Sequence, residues 1–439
     1  MSNASSLASP AKIGPLLATF VVANNMIGSG FFLLPASLAK SGGVTALAWL
    51  LGTMLAMMLG AAFSQLARHH PDLEAQDDYI GPSLGRNASF LATFLYWVQS
   101  WIGNNAIAVA AFGYLMVVLP FDDNSGMVRL TGQLALIWAM FGLNLLGPKP
   151  IARFQSFCVV FGLLPVAVVL TAGWMFFDTG VYGDSWNVSG NSDLQVVFSS
   201  LAPVFWAFVG LETGAMVAGV VRNPDRNVPI ATLGGIGIAG VVYLTSSVLM
   251  MGIVPAEQIA ASAAPFALVA GQMFGAWAVP VIAVAAALKA TGTLGGWMLV
   301  TGETGARAAQ RGFLPAIFGR QSRNGAATWG LFFVALAMSA LTIATLAPTV
   351  SGQFEVLIEM VVTLIVVTYG AAGLVLIKGS AARRPTTRER LLGIGALIAC
   401  ALLLGSASIK IVLGSLVVVI AILFIFIAID RKRAGAQSR

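Results

Sequence analysis

Three ionisable residues lie in the middle of long apolar stretches of the sequence: Glu212, Lys289 and Glu359. A charged side chain at membrane depth costs about 2.5–3.5 kcal/mol on insertion scales and usually serves a function. Glu212 stands between glycines that interrupt a helix, so it is the best candidate for a group that gains and loses a proton. Lys289 and Glu359 could each serve function or could neutralise one another as a structural pair.

Two apolar stretches carry a glycine-rich interruption at their centres. The first reads NNMIGSGFFLLPA and contains Gly28 and Gly30, and the second reads WAFVGLETGAM with Gly210 and Gly214 around Glu212. Non-helical backbone at membrane depth survives only where protein covers it or water reaches it. Broken helices leave half-helix N-termini that favour an anion beside carbonyls that favour a cation, which suits a zwitterionic amino acid. Glycines that only permit close helix packing are the alternative.

Four tryptophans lie within apolar stretches rather than at their ends: Trp97, Trp101, Trp206 and Trp297. Packing against lipid or core is the expected role of the first two. Trp206 adjoins the second interruption and Trp297 follows GTLGG, so a ring face there could stack on a guanidinium or an ammonium group.

Helices that cross a membrane must position these residues. The 439-residue chain is 58% hydrophobic and only 9% charged, whereas soluble domains carry about 25% charged residues. A spanning helix needs about 20 apolar residues, and we predict an all-α membrane protein of twelve spans. The predicted spans fall near residues 13–40, 44–67, 88–118, 129–147, 154–177, 194–220, 229–253, 276–304, 327–347, 354–377, 390–409 and 411–430.

The basic residues predict the orientation of these spans. With both termini in the cytoplasm, 20 of the 24 Lys and Arg residues fall on the inner side, and only Lys40, Arg129, Lys289 and Lys410 fall elsewhere. Because basic loops resist translocation, this bias favours cytoplasmic termini. The net charge of +7 therefore reflects topology, and we expect no nucleic-acid partner.

The two interrupted spans, the first and the sixth, are five spans apart. This spacing fits two inverted five-helix repeats, each opening with a broken helix. We expect a cytoplasmic tail at 1–12, a first repeat at 13–177, a second at 194–377, two further spans at 390–430 and a cytoplasmic tail at 431–439.

Two other classes of function are less well supported. A membrane-embedded enzyme needs a nucleophile–base set or a metal cluster, and the sequence offers only the adjacent His69 and His70 and two separate cysteines. We expect no enzyme activity, no metal and no cofactor. A sensor that binds without moving its ligand usually carries a signalling domain, and we expect none in the short tails.

Several motifs resemble the amino acid–polyamine–organocation transporters, and most of all their basic amino acid/polyamine antiporters. The likeness is carried by GSGFFLLPA, YWVQSWIGN, LNLLGPK, WNVSG, FWAFVGLETGAMVAGVVRNPDRNVPIATLGG, APFALVAGQMFG and GTLGGWMLVTGETGARAA. LNLLGPK and WNVSG are most similar to the arginine/agmatine type. The resemblance implies twelve helices with a LeuT-like 5+5 inverted repeat and exchange of substrate without sodium.

The resemblance also implies residue roles. Backbone groups of Ser29 and Gly30 would hold the substrate carboxylate, and carbonyls of Met26, Trp206 and Val209 its ammonium. The other residues implied at the pocket are Asn25 and Asn104, which shape it; Gln99, Ser100 and Val361, at head-group positions; Trp297, Tyr96 and Tyr369, as gate elements; and Glu212, as the proton-responsive group.

Three departures from the family pattern concern the substrate. Val361 replaces a small polar acceptor, and Lys289 stands where a small residue is expected. The segment PDLEAQDDYIG replaces a paired-glycine segment near the inner gate. Exchange of a basic amino acid for its decarboxylated amine is the first expectation. Proton symport and exchange of neutral amino acids or polyamines stay open.

The expected setting follows from the same resemblance. We expect a multi-pass protein of the bacterial inner membrane whose partners are the lipid bilayer and a small amino acid or amine. A homodimer is the oligomeric state that we consider.

Overall fold

The computed structural model describes residues 12–28, 30–69, 77–120, 125–216, 219, 221–379 and 383–437. Within these ranges the chain forms nineteen α-helices. In chain order they are α1 (Pro15–Met26), α2 (Gly30–Ala39), α3 (Thr45–His69), α4 (Asp77–Leu84), α5 (Arg86–Met116), α6 (Gly126–Leu145), α7 (Pro148–Ala172), α8 (Thr179–Asp184), α9 (Asp193–Ser199), α10 (Leu201–Trp206), α11 (Thr213–Met216), α12 (Pro224–Met251), α13 (Ala256–Ala261), α14 (Pro265–Phe274), α15 (Ala278–Gln310), α16 (Thr328–Ala344), α17 (Val350–Lys378), α18 (Thr387–Ser406) and α19 (Ile409–Gln437).

The all-α prediction is confirmed for the described residues, whose only extended pairing is an isolated bridge between Ile13 and Val221. Among the helices in the described part of the chain, seven are long and apolar enough to cross a membrane: α3, α6, α7, α12, α15, α17 and α18. Helices α1 and α2 meet at 51° and form an eighth span if the bent pair is counted as one. Each of the twelve predicted windows overlaps at least one of the described helices, and the count of twelve spans stays a prediction.

Helix α5 lies at the centre of the bundle, in contact with both α15 and α17. Helix α15 also packs on α7, α17 packs on α18, and α12 packs on α1 and α3. The outer face of α7 exposes Phe157, Val160, Phe161 and Leu164. Such an exposed apolar stripe is what a lipid-facing helix presents.

Buried polar side chains connect neighbouring helices. The Asn105 amide donates to the Met338 carbonyl at 3.1 Å and accepts from Thr342 Oγ1 at 2.9 Å, which links α5 to α16. Gln133 on α6 and Gln353 on α17 exchange two hydrogen bonds of 3.1 and 3.2 Å. These pairs satisfy groups that lipid could not, so they help to fix the register of the helices.

Both predicted interruptions are present as breaks between helices. Helix α1 ends at Met26 and α2 begins at Gly30, while turns at 207–212 separate α10 from α11. Gly210 has a φ of +107°, a conformation that strongly favours glycine. The Tyr243 hydroxyl donates to the freed carbonyl of Ala207 at 2.9 Å. Asn25 Nδ2 donates to Thr213 Oγ1 at 3.2 Å, so the two breaks touch.

Candidate substrate-binding site

A cavity with about 440 Å³ of empty space lies where the two breaks meet α5 and α15. The described residues that line it are polar, aromatic, aliphatic or small, and none of these is ionisable. The lining residues are Asn25, Met26, Gly28, Gly30, Gln99, Ser100, Gly103, Asn104, Ile107, Trp206, Ala207, Val209, Thr293 and Trp297.

The indole of Trp206 forms one wall of this cavity, between two glycines. A Cβ placed on Gly30 would lie 2.6 Å from Trp206 Nε1, and one on Gly103 would lie 3.0 Å from Trp206 Cη2. A larger residue at either position would clash with the indole ring. The Nε1 donor is buried and has no hydrogen-bond partner among the described residues, so it is available to a ligand.

Helix α5 supplies two amide oxygens to the opposite wall. Gln99 Nε2 donates to the Tyr96 carbonyl at 3.1 Å and to Ser100 Oγ at 3.0 Å, which leaves its Oε1 as the acceptor. Asn104 Nδ2 donates to Thr301 Oγ1 at 3.2 Å, and its Oδ1 has no partner within the described part of the chain. Two neutral acceptors are therefore available to hydrogen-bond donors of a molecule in the cavity.

The carboxylate of Glu212 lies buried near the cavity and joins three segments. It accepts from the Tyr96 hydroxyl at 2.9 Å, from the Tyr369 hydroxyl, and from the Gly210 backbone N–H at 3.1 Å. Tyr96 belongs to α5 and Tyr369 to α17. Loss or gain of one proton at this carboxylate would change all three contacts at once.

Lys289 on α15 is the second buried charge, with 1% of its surface exposed. Its Nζ donates to Thr293 Oγ1 at 3.1 Å, and Thr293 lines the cavity. Cys158 on α7 lies close to the same ammonium group. The ammonium group therefore lies behind the cavity wall and is hydrogen-bonded to a residue that lines the cavity.

Lys289 and Glu359 are not paired, so the structural-pair alternative is wrong for this conformation. Glu359 is half-buried on α17 and meets the backbone N–H of Ser408, just before α19 begins. Lys289 instead faces α7. Charge matching along the sequence could not reveal this, because it depends on the rotation of each helix about its axis.

Comparison with known proteins shows which family the chain belongs to. The profile of the amino acid permease family matches residues 13–430, nearly the whole chain. The cadaverine/lysine antiporter of Escherichia coli (strain K12) is 36% identical over 340 residues, which cover 77% of this chain and 76% of that protein. The chain belongs to the amino acid permease family.

Two further relatives agree with this assignment. The putrescine transporter PotE of Escherichia coli (strain K12) is 32% identical over 369 residues, 84% of each protein. PotE of Haemophilus influenzae is 31% identical over 363 residues, 82% of each. The permease thus belongs with the basic amino acid/polyamine antiporters, as its motifs predicted, and its family consists of transporters rather than enzymes. Its apolar helices and bacterial relatives make it a multi-pass inner-membrane protein.

The permease cavity gathers most of the residues that the sequence predicted for a substrate site. These are Asn25, Met26, Gly30, Gln99, Ser100, Asn104, Trp206, Val209 and Trp297. Val361 is fully buried behind Gly103 and does not line the cavity. Ser29 lies outside the described residues. The predicted gate tyrosines do meet Glu212, whereas Trp97 and Trp101 do not line the cavity. They pack in an apolar cluster that also includes the lining residues Ile107 and Trp297.

Five lining residues were not predicted: Gly28, Gly103, Ile107, Ala207 and Thr293. They are small or apolar, and such residues carry no chemical signal in a sequence that is mostly apolar. Thr293 could have been found from its spacing, because it lies one turn before Trp297 on the same face of α15.

Proposed function

We propose that this permease exchanges amino acids and amines across the inner membrane, without sodium, by alternating access to this single cavity. The observation that carries the proposal is the position of the cavity at the meeting point of two broken helices. Breaks at membrane depth are maintained where free backbone groups bind a ligand. The assignment to an antiporter family supports the same mechanism.

The backbone at the breaks would bind what all amino acids share. Helix α2 begins at Gly30 beside the cavity, so its N-terminal end would attract the substrate carboxylate together with Ser29. The carbonyls of Met26, Trp206 and Val209 would accept from the ammonium group. A carbonyl that already accepts one bond, such as Met26 from Gly28 N–H at 2.6 Å, keeps a second lone pair.

Side chains on α5 and α15 would bind and cover the rest of the substrate. Gln99, Ser100 and Asn104 offer neutral acceptors to a cationic or polar head group. The Trp297 ring lines the cavity and would close over the substrate as a gate. The Glu212 contacts with Tyr96 and Tyr369 would open and close with its protonation state.

We propose exchange of a basic amino acid for its decarboxylated amine, in the manner of arginine and agmatine, as the first substrate pair. Similarity to proteins named cadaverine/lysine antiporter and putrescine transporter supports this chemistry. Exchange of neutral amino acids is the second candidate. It is favoured by the cation of Lys289 beside the cavity.

The proposed topology has the two inverted repeats at 13–177 and 194–377, twelve spans and cytoplasmic termini. A homodimer within the lipid bilayer is the proposed assembly.

Calorimetric titration of the purified protein in detergent tests the site. We expect arginine, lysine or a neutral amino acid to bind, and we expect Trp206→Ala to weaken binding at least tenfold, because it removes a cavity wall and the indole N–H. Gly405→Ala on α18, far along the chain from both breaks, serves as the control. Unchanged affinity in Trp206→Ala would contradict this placement of the site.

A further inference from the structure

Lys289 is a buried charge for which the exchange mechanism has no use. Its ammonium donates to Thr293 Oγ1 at 3.1 Å, and Thr293 lines the cavity. A Cβ placed on Gly162 of α7 would lie 2.5 Å from Lys289 Cβ and 2.9 Å from its backbone N. The backbone of α7 therefore packs directly on α15 at this point and keeps the lysine inside the protein.

No described carboxylate neutralises this cation. Ion pairs among the described residues include Lys40 with Glu355, Arg311 with Asp78 and Arg383 with Glu389, and none of these pairs involves Lys289. The buried Glu212 contacts the two tyrosines, and the half-buried Glu359 meets Ser408, so neither carboxylate pairs with Lys289. Since the cavity lining is itself uncharged, the positive charge of Lys289 acts on whatever the cavity holds.

We propose that Lys289 is a specificity-determining residue that ranks substrates by net charge. Zwitterions bind more tightly than matched monocations, and monocations more tightly than matched dications. The inference rests on the proposed function, because it takes the cavity as the substrate site. Coulomb's law at an effective dielectric constant of about 20 gives about a tenfold change in affinity for each unit charge roughly 10 Å away.

The charge of Lys289 has different effects on the affinities of the two substrates of an amino acid/amine exchange. An amino acid keeps a carboxylate that Lys289 attracts, whereas its decarboxylated amine has lost that group and carries one more net positive charge. The amine is therefore released more readily than the amino acid. Lys289 thus biases the carrier toward retaining the amino acid.

Arginine and citrulline provide the test, because they are nearly isosteric and differ by one unit charge. Their dissociation constants are measured by calorimetry on the purified full-length protein, wild type and Lys289→Met. We expect the ratio of the arginine constant to the citrulline constant to fall about tenfold in Lys289→Met. Lys289→Arg keeps the charge and the wild-type ratio, and Lys410→Met removes an exposed lysine with no change in the ratio.

A ratio that moves less than twofold in Lys289→Met, with citrulline still bound, overturns the inference and leaves the proposed site intact. If Lys289→Met does not fold, the dissociation constants of the wild type for a second pair, lysine and norleucine, are measured as well and test the inference. Tighter binding of the neutral member in both pairs supports the inference, and tenfold tighter binding of the cationic member in both overturns it. Failure of wild type to bind any of these four compounds overturns the proposed function and the inference together.

Discussion

The Glu212 carboxylate is the proposed proton-responsive group, and three hydrogen-bond donors hold it in place. The hydroxyls of Tyr96 and Tyr369 and the N–H of Gly210 all point at it. Glu212→Gln keeps the shape but replaces one acceptor by a donor, which must face a hydroxyl. We therefore expect transport by Glu212→Gln to lose most of the pH dependence of the wild type.

The measurement is the initial rate of exchange in liposomes as a function of pH. Glu359→Gln is the matched control, because Glu359 contacts Ser408 rather than the gate tyrosines, and its pH profile should match the wild type. A wild-type profile in Glu212→Gln would show that the proton-responsive group lies elsewhere.

Asn104 and Asn105 are adjacent on α5 but have different roles, so substituting each one distinguishes an effect on ligand binding from an effect on helix packing. Asn104 has an unpartnered Oδ1 in the cavity, whereas both ends of the Asn105 amide bond to α16. A hydrogen bond from a charged donor is worth about 1.5–3 kcal/mol, so Asn104→Ala should raise the KM for a cationic substrate at least tenfold. Asn105→Ala should lower the Tm and keep KM within twofold. Equal KM effects from both variants would count against the cavity as the site.

The sequence predicted the chemically distinctive part of the site and missed the rest. Tryptophan, asparagine and glutamate within apolar stretches are rare enough to be noticed, and these residues do meet around the cavity and Glu212. Gly103 and Ala207 give no such signal. The separate partners of Lys289 and Glu359 depend on helix rotation, which a sequence pattern determines poorly when every face of a helix is apolar.

At the scale of elements, the break between α10 and α11 depends on Gly210. Its φ is +107°, a backbone conformation that L side chains rarely adopt, whereas a Cβ placed on it would only come into van der Waals contact with the Asn25 carbonyl oxygen and Trp297 Cζ2, each 3.4 Å away. Gly210→Ala should cost about 1–2 kcal/mol of backbone strain. We also expect it to reduce transport, because the same residue donates its N–H to Glu212.

Gly190→Ala separates these two effects. Gly190 has a φ of +75° on an exposed loop, and a Cβ placed on it would meet no atom within 4 Å. A thermal-shift assay and an exchange assay on both variants should show a lower Tm in each and reduced transport only in Gly210→Ala. Full transport by Gly210→Ala would mean that the break tolerates a regular conformation.

The elements themselves were predictable to different degrees. The long helices overlap the predicted windows, because an apolar run of about 20 residues is the length that crosses a membrane, although several helices extend a few residues beyond those windows. The short helices α4, α8, α13 and α14 were not predicted, since runs of about six to ten residues give no clear periodicity. The sixth window breaks into α9, α10 and α11, and its glycines indicated the break but not its extent.

At the scale of the whole molecule, the proposed topology makes a labelling prediction. Cysteines are introduced singly at Asp184 and Arg320, which are exposed, while the native Cys158 and Cys400 are buried. With cytoplasmic termini, a membrane-impermeant maleimide added to intact spheroplasts should label Asp184→Cys and spare Arg320→Cys until the cells are lysed. The reverse pattern would invert the topology.

Obligatory exchange is the central claim, and counterflow in liposomes tests it most directly. Purified protein is reconstituted, the vesicles are loaded with agmatine, cadaverine or a neutral amino acid, and uptake of labelled amino acid from outside is followed. Uptake should depend on the loaded counter-substrate and be nearly absent in empty vesicles. Equal uptake into empty vesicles, driven by a proton gradient alone, would contradict exchange and identify a symporter.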